Sequence, residues 1–157
     1  MCKLELTRGQ FALLDEEDYE KFKKYSWHCT NHGYAARRDA DNIHHYLHRD
    51  VLDAKKGDVI DHINGNKLDN RRENLRFCTQ MQNSWNARHK RGRVPFTGVH
   101  ISDPYAKQGW FLKKRYAAKI KIDGKDIWLG RYETPELAHL AYRDACIKYR
   151  GDFARLE

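Results

Sequence analysis

The stretch VIDHING at residues 59–65 decides the fold of the first half of this chain. Its apolar beginning predicts a short strand, and Asp61 and His62 come at the end of that strand. Because successive side chains of a strand point to opposite faces, the carboxylate and the imidazole can reach different partners. One of them can bind a cation while its neighbour faces a water molecule.

A polar loop and a second apolar stretch, LRFC at residues 75–78, follow this strand. A helix is predicted to begin at Thr79, because Thr79 and Gln82 have the spacing of a capping box. Asn83 then lies in the first turn of the helix, close to the end of the first strand. The segment therefore predicts two strands and a helix that bring Asp61, His62 and Asn83 together.

These residue types suit hydrolysis of a phosphodiester bond. The reaction needs an oxygen-ligated divalent cation and a neutral imidazole that takes a proton from water. An amide oxygen is a hard ligand, so Asp61 and Asn83 suit Mg²⁺ or Mn²⁺ better than a thiophilic metal. The pattern predicts a single-metal nuclease site. The alternative is a polar hairpin without chemistry, which an isolated Asp-His pair would favour.

The segments DHINGNKLDN at 61–70 and ENLR at 73–76, together with Asn83, resemble the HNH endonuclease motif. More narrowly, they resemble the phage and intron homing endonucleases in which Asn replaces the last His. The resemblance includes YLHR at residues 46–49 and covers roughly residues 1–90. It implies that Asp61 and Asn83 are metal ligands, that His62 is the general base, and that Asn74 holds the loop by bonding its backbone.

The N-terminal residues predict a small β-rich lead-in to this domain. Strands are expected at residues 3–6 and 10–14, a helix from Asp15 to about Tyr25, and a hairpin formed by residues 27–30 and 34–37. Residues 43–47 predict a further strand.

The histidines His44, His45 and His48 leave two interpretations open. At helical spacing two of the rings could converge on a metal, but no acidic or thiol partner stands at a fixed spacing from them. The interpretation that we favour places His48 near the site, where His48 and Arg49 contact a DNA phosphate.

Charge is distributed unevenly along the chain. Residues 1–87 contain 14 Lys and Arg and 14 Asp and Glu, whereas residues 88–157 contain 16 and 8. The whole net charge of +8 therefore lies in the C-terminal part. This asymmetry predicts a basic module that binds phosphates beside a more neutral one. A solvated basic surface without a partner is the alternative.

A basic linker is predicted at residues 88–95, where Gly92 and Pro95 interrupt regular structure. Arg91 and Arg93 are expected to follow the DNA backbone. The linker separates a nuclease domain at residues 1–87 from a second domain at residues 96–157.

The second domain begins with an alternating pattern over residues 113–122, which predicts a strand with one buried and one positive face. The Asp123-Gly124 pair predicts a hairpin turn, and residues 127–132 form the returning strand. Thr134 and Pro135 predict the start of a helix, and Gly151 predicts its end.

The segments GV at 98–99, YAAKIK at 116–121 and WLG at 128–130 resemble the plant ethylene-response-factor (APETALA-type) DNA-binding domain. This resemblance covers about residues 96–157. It implies a three-stranded antiparallel sheet that packs on one helix and reads the DNA major groove. The chain departs from the family at His100, Lys119 and Asp126, so the plant target sequence does not carry over. The residues expected on DNA are His100, Arg115, Lys119, Lys121 and Trp128.

Taken as a whole, the sequence predicts an α+β protein, with an HNH ββα-metal domain followed by the sheet and helix. The dispersed cysteines argue against a disulfide framework and a zinc ribbon. Without a long apolar run or a signal peptide, we expect a cytosolic protein that has no membrane partner and no small-molecule substrate. We expect a monomer in solution whose partner is double-stranded DNA, since no heptad pattern indicates a dimer helix.

Two function classes follow from the sequence. The first is a Mg²⁺-dependent DNA endonuclease, either a phage or mobile-element homing enzyme or a nuclease that processes DNA. The second is a non-catalytic DNA-binding regulator with a decayed nuclease domain. Retention of Asp61, His62 and Asn83 together favours the first class. A single site holds one scissile phosphate, so a monomer is expected to nick one strand.

Overall fold

The computed structural model describes residues 1–86, 94–102 and 116–156. The predicted DNA contacts Arg91, Arg93 and Arg115 lie outside these residues. The chain divides into two units, Met1–Asn86 and Ala87–Glu157. Both units mix helices and strands, in agreement with the predicted α+β class.

Unit 1 carries the predicted nuclease segment at its C-terminal end. Among its described residues, the strands pair antiparallel in the sheets β1-β2, β3-β4-β5 and β6-β7. Its elements are β1 (Cys2–Glu5), β2 (Phe11–Leu14), α1 (Glu16–Phe22), β3 (His28–Cys29), β4 (Ala35–Arg38), β5 (His44–Tyr46), α2 (Leu47–Val51), β6 (Val59–His62), β7 (Leu75–Cys78) and α3 (Gln80–Asn86).

Two elements of unit 1 differ from the sequence prediction. Helix α1 ends at Phe22 rather than near Tyr25. Strand β5 is shorter than the predicted 43–47, because Leu47 already begins helix α2. Leu47 and Val51, four residues apart, are both fully buried, so a turn of helix directs both side chains into the core. His48 consequently lies on a helix rather than beyond a strand.

The core of unit 1 also fixes the loop that follows β6. Trp27 is buried and donates its indole N–H to the carbonyl of Phe22 at 3.0 Å. The Leu13 amide donates to the Leu68 carbonyl at 2.7 Å, and the Asn70 amide donates to the Leu13 carbonyl at 2.9 Å. These two backbone bonds tie the loop to β2, so the N-terminal hairpin supports the candidate site.

The described elements of unit 2 are β8 (Val99–Ile101), β9 (Tyr116–Ile122), β10 (Lys125–Tyr132) and α4 (Pro135–Arg150). The three strands form an antiparallel sheet with the order β10-β9-β8, and α4 is the long helix. Asp123 and Gly124 have φ values of 49° and 78°, as the predicted hairpin turn requires. The Thr134 hydroxyl accepts the Leu137 amide at 3.4 Å, which confirms the predicted helix cap.

The core of unit 2 lies between the sheet and α4. Ala118 and Ile120 of β9 are buried against Ala138 and Cys146 of α4, among other small side chains. Val94 is also buried in this core, at 7% exposure. The end of the predicted linker is therefore packed into unit 2, whose core includes Val94 in addition to residues from 96 onward.

Among the described residues, no helix has the length and apolar character needed to cross a membrane. The cysteines Cys2, Cys29, Cys78 and Cys146 are free thiols.

Gly98 allows α4 to approach the sheet closely. It has a φ of +76°, and a Cβ atom there would lie 2.0 Å from Cδ2 of the Tyr142 ring. We expect Gly98→Ala to lower the free energy of unfolding by about 2–4 kcal/mol, through both overpacking and backbone strain. Gly124→Ala is the matched control, because Gly124 has a φ of +78° but no atom within 4 Å of a Cβ. Urea unfolding measures both, and equal losses would show that the contact with Tyr142 has no effect.

Candidate active site

Asp61 and His62 occupy the end of β6, in the β6-β7 hairpin that pairs them with Arg76 and Leu75. Both side chains are buried, with 4% and 6% exposure. Asp61 contacts Arg76 and Asn86 of α3, whereas His62 faces Asn70 and the rings of His48 and Tyr34. The two side chains thus point to different sides of the strand, as the sequence predicted.

The Asp61 carboxylate is held by two side chains that the sequence analysis missed. Arg76 donates to Asp61 Oδ2 from Nε at 2.9 Å and from Nη2 at 2.7 Å. The Asn86 amide lies 2.9 Å from Oδ1 and 3.1 Å from Oδ2 of the same carboxylate. Arg76 follows from the strand register, and Asn86 stands one helical turn after Asn83, so both positions had a signal in the sequence.

Asn86 also fastens α3 to the end of β6. Its amide Nδ2 lies 2.9 Å from the carbonyl of His62 and 3.2 Å from the carbonyl of Ile63. The side chain is buried, at 7% exposure. An amide NH₂ has two hydrogens, so the two 2.9 Å contacts, to Asp61 and His62, are the strongest. Asn86 therefore aligns the helix with the residues of the site.

Asn83, the predicted metal ligand, lies on the first turn of α3. The capping box is confirmed, since the Thr79 amide donates to Gln82 Oε1 at 2.8 Å and the Gln82 amide donates to Thr79 Oγ1 at 3.1 Å. The half-buried Asn83 side chain forms no hydrogen bond with another described residue. Its amide oxygen is available to a ligand, although the amide that contacts Asp61 is that of Asn86.

Asn74 closes the loop between β6 and β7. Its Oδ1 accepts the backbone amide of Asn64 at 3.0 Å, and its Nδ2 donates to the carbonyl of Asp69 at 2.7 Å. Its own carbonyl accepts the Ile63 amide at 2.9 Å. The side chain thus bonds the loop's backbone, in the manner that the resemblance implied.

A second set of contacts inside this loop was missed. Asp69 is buried and accepts two hydrogen bonds from Arg71 at 2.8 Å and one from Asn64 Nδ2 at 2.8 Å. The Arg71 hydrogen bonds lower the pKa of the Asp69 carboxyl, and the bond from Asn64 adds to this effect. These contacts join Asn64 and Arg71 of the loop through one carboxylate.

His62 is surrounded by polar and aromatic groups. Its Nε2 lies 3.4 Å from Asn70 Oδ1, and its ring centroid lies 5.2 Å from that of His48 and 6.0 Å from that of Tyr34. Burial lowers the pKa of the imidazole, although the Asn70 contact and the carboxylates of Asp61 and Asp69 act to raise it. The ring is neutral near neutral pH, which is the form that can accept a proton.

His48 lies beside His62, as the sequence predicted. Burial, with smaller contributions from the positive charges of His62 and Arg49, lowers the pKa of His48 to about 3. Its Nδ1 is buried and has no hydrogen-bond partner among the described residues. His48 can therefore offer a phosphate a hydrogen bond but not a positive charge.

Arg49 has a structural role that the sequence analysis missed. It donates to the carbonyl of Asp58 at 2.7 Å and to that of Lys55 at 2.6 Å. These bonds hold the turn that leads into β6. A phosphate contact by Arg49 stays a prediction.

Within the described ranges, no group of three His, Cys, Asp or Glu side chains is placed to hold a metal ion. The rings of His44, His45 and His48 are not gathered into such a site. A cation site near Asp61 would therefore depend on one carboxylate, amide oxygens and water.

In unit 2, four of the predicted DNA-contact residues are described. Lys119 pairs with Trp128 and Lys121 pairs with Asp126 in the β9-β10 register, while His100 pairs with Ala117 in the β8-β9 register. Lys119 and Lys121 alternate with Ala118 and Ile120, whose side chains are buried against α4. His100, Lys121 and Trp128 are exposed.

The charge of Lys119 is already paired on this surface of the sheet. Its ammonium forms an ion pair with Asp126 at 2.7 Å, and this contact lowers the pKa of the Asp126 carboxyl. The ion pair thus joins two residues that the sequence resemblance alone had marked as departures.

Residues 45–85 match the family model of HNH endonucleases. The chain is also 32% identical, over 83 residues, to an uncharacterized HNH endonuclease of Acanthamoeba polyphaga mimivirus. The matched region is 50% of this chain but 44% of that relative, so the chain spans less than half of the relative's length. No solved structure matches the chain significantly.

Together, the two matches show that unit 1 carries a segment similar to HNH endonucleases. The family match contains Asp61, His62, Asn74 and Asn83, and it also contains Arg76. Asn86 lies just beyond it, and unit 2 lies entirely outside it.

The lowered pKa of His48 predicts a loss of stability in acid. The unfolded chain protonates this group near pH 6.5, whereas the folded protein resists protonation down to about 3. The contribution of neutral His48 to the free energy of unfolding is therefore fully present above pH 6.5 and is lost as the pH falls toward 3. We expect His48→Asn to show a smaller fall in thermal midpoint than the wild type between about pH 7 and about pH 5. Exposed His32→Asn is the control, and a His48→Asn profile that matches the wild type would contradict the account.

Proposed function

We propose that this protein is a DNA endonuclease of the HNH type that hydrolyses a phosphodiester bond with the aid of Mg²⁺ or Mn²⁺. The proposal depends above all on one observation. Asp61 and His62 are adjacent, buried and directed to opposite sides of β6, within the segment that matches the HNH family. One strand end thus provides a hard oxygen ligand and a neutral imidazole.

The residues around Asp61 fit a divalent cation of this kind. A carboxylate has four lone-pair positions, of which Arg76 and Asn86 occupy three, so one position on Oδ1 remains. The amide oxygen of Asn83, on the adjacent helix, is a second hard donor, and it is uncharged. When bound, the cation supplies stabilisation of the negative charge that develops on the phosphate and on the leaving oxygen.

His62 is the proposed general base. Burial keeps its imidazole neutral, and the Asn70 amide beside Nε2 orients the ring. His62 takes the proton from the attacking water, while the neutral His48 ring hydrogen-bonds a phosphate oxygen next to it. Asn74 and Asn86 are positioning residues, because they fix the loop and the helix from which the site is built.

Unit 2 carries the proposed binding surface for double-stranded DNA. Exposed Lys121, Trp128 and His100 share the sheet surface opposite α4, and cationic side chains bind phosphates through charge. Lys119 contributes less than the sequence predicted, since Asp126 already balances its charge. The remaining residues proposed on DNA are Arg91, Arg93 and Arg115 of the segments outside the described residues.

The proposed biological setting is a phage or mobile-element homing enzyme. A single Asp61-His62 site holds one scissile phosphate, so the enzyme acts as a monomer that nicks one strand. Supercoiled plasmid would then yield open circles before linear DNA, at a rate first order in protein.

The role of His62 is tested by cleavage of supercoiled plasmid in Mg²⁺. We expect His62→Ala to keep its affinity for DNA and to lose about 10²–10⁴-fold in cleavage rate, because a general base contributes about this much. Exposed Lys148→Ala on α4 is the control and should cleave normally. A folded His62→Ala protein that cleaves at the wild-type rate would remove His62 from the mechanism.

The two amides of α3 have different proposed roles, and substitution separates them. Asn83→Ala should abolish Mg²⁺-dependent cleavage without loss of thermal stability, and Asn83→Asp should retain part of the activity, because a carboxylate also binds the cation. Asn86→Ala should lower thermal stability, since buried Asp61 and the His62 carbonyl lose a donor. If Asn83→Ala cleaves normally, Asn83 is not the ligand.

The DNA face of unit 2 is tested by the salt dependence of binding. We expect Lys121→Ala to reduce the slope of log affinity against log salt by about one, as the loss of one phosphate contact does. Lys148→Ala changes an exposed lysine on α4 and should leave the slope unchanged. Equal slopes for the wild type and both variants would exclude this sheet face from DNA binding.

A further inference from the structure

Arg76 lies directly beside the proposed cation site at Asp61. Its Nε and Nη2 both donate to Oδ2 of Asp61, at 2.9 and 2.7 Å, and the two residues face each other across the β6-β7 hairpin. The Asp61 side chain is 5% exposed and that of Arg76 is 17% exposed, so solvent screens this pair poorly.

The charge balance of the site follows from these contacts. Asp61 and Arg76 carry opposite charges that sum to zero, and the amides of Asn83 and Asn86 carry none. A divalent cation that uses the remaining position on Oδ1 therefore enters a site of no net charge, with a guanidinium on the neighbouring oxygen. Repulsion between the guanidinium and the cation opposes binding.

We propose that Arg76 keeps the affinity of the free protein for divalent cations low, so that the cation binds tightly only together with DNA. The phosphate of the substrate supplies the negative charge that the protein site lacks. This inference rests on the proposed cation site at Asp61. By linkage, the cation raises the affinity for DNA by the same factor as DNA raises the affinity for the cation.

Binding of Mn²⁺ to the DNA-free protein, followed by electron paramagnetic resonance, tests this role without any measurement of activity. Arg76→Gln should bind Mn²⁺ about tenfold more tightly than the wild type, since one repelling unit charge is removed. Arg76→Lys keeps the charge and should resemble the wild type. Asp61→Asn should abolish the gain in the Arg76→Gln background, which assigns the signal to this site.

An Arg76→Gln protein that binds Mn²⁺ no more tightly than the wild type would overturn the proposal. If loss of Arg76 prevents folding, the His62→Ala protein provides the second measurement, with and without an uncleaved DNA duplex. Mn²⁺ should bind at least about tenfold more tightly with DNA, after correction with Asp61→Asn. Equal affinities would overturn the inference. If the protein cleaves plasmid but DNA does not strengthen Mn²⁺ binding, only this inference is wrong. If DNA strengthens Mn²⁺ binding but no plasmid is cleaved, the proposed nuclease function is wrong.

A second inference comes from a different part of unit 1. The β3-β4-β5 region borders a cavity of about 460 Å³, and its lining includes Arg8, His28, His32, His44 and Tyr46. None of the lining residues is acidic, and Arg8 forms no ion pair with another described residue. A cavity lined by Arg8 and several histidines, without a carboxylate, suits an anion.

This cavity is joined to the candidate base by a row of rings. The His44 ring stacks on Tyr46 with a centroid distance of 6.4 Å. Tyr46 lies 5.8 Å from His48, and His48 lies 5.2 Å from His62. An anion in the cavity would therefore be three ring contacts from His62.

The geometry points to this cavity as the binding place of the DNA backbone that flanks the scissile phosphate. The inference also rests on the proposed function. We expect Arg8→Gln, in the full-length His62→Ala protein, to weaken duplex binding and to lower the salt slope by about one. His44→Ala should also weaken binding, while exposed Lys3→Gln on β1 should leave it unchanged. Wild-type binding by both Arg8→Gln and His44→Ala would overturn the inference, and a complete absence of duplex binding in the parent protein would overturn the proposed function itself.

Discussion

The carboxylate of Asp61 is the group on which the rest of the candidate site depends. A buried carboxylate is costly unless charged and polar donors satisfy it. Arg76 provides the opposite charge from β7, and Asn86 provides an amide from α3. Because these donors belong to two elements, the same contacts that satisfy Asp61 also dock the helix on the hairpin. Removing one donor would leave the buried Asp61 carboxylate short of a hydrogen bond and would weaken the contact between α3 and the hairpin.

The environment of His62 differs from that of Asp61 because most of its neighbours are uncharged. Its neighbours are mainly neutral rings and an amide, so burial lowers its pKa and keeps the imidazole uncharged. One strand end thus carries an ionised oxygen donor on one side and a neutral base on the other. The loop closed by Asn74, and tied to β2 at Leu13, holds both in place. This separation of environments is what makes the arrangement suited to hydrolysis.

Local signals account for the parts of the structure that the sequence predicted well. The β6-β7 hairpin, the capping box at Thr79 and the Asp123-Gly124 turn each depend on residues close together in the chain. The missed features depend on distant residues. His48 lies on a helix because Leu47 and Val51 are drawn into the core, and Arg76 meets Asp61 only through strand register. Likewise, the Lys119-Asp126 ion pair needs the β9-β10 register, although both residues were noted as departures from the family pattern.

In the proposed site, Asp61 holds a divalent cation beside a neutral His62. This arrangement can be observed by anomalous diffraction from crystals of the His62→Ala protein with a DNA duplex and Mn²⁺. We expect a peak about 2 Å from Asp61 Oδ1 and from the Asn83 amide oxygen, with a phosphate of the DNA as a further ligand. A bound duplex with the Mn²⁺ peak away from Asp61, and with Arg76 and Asn86 as the carboxylate's only partners, would contradict it.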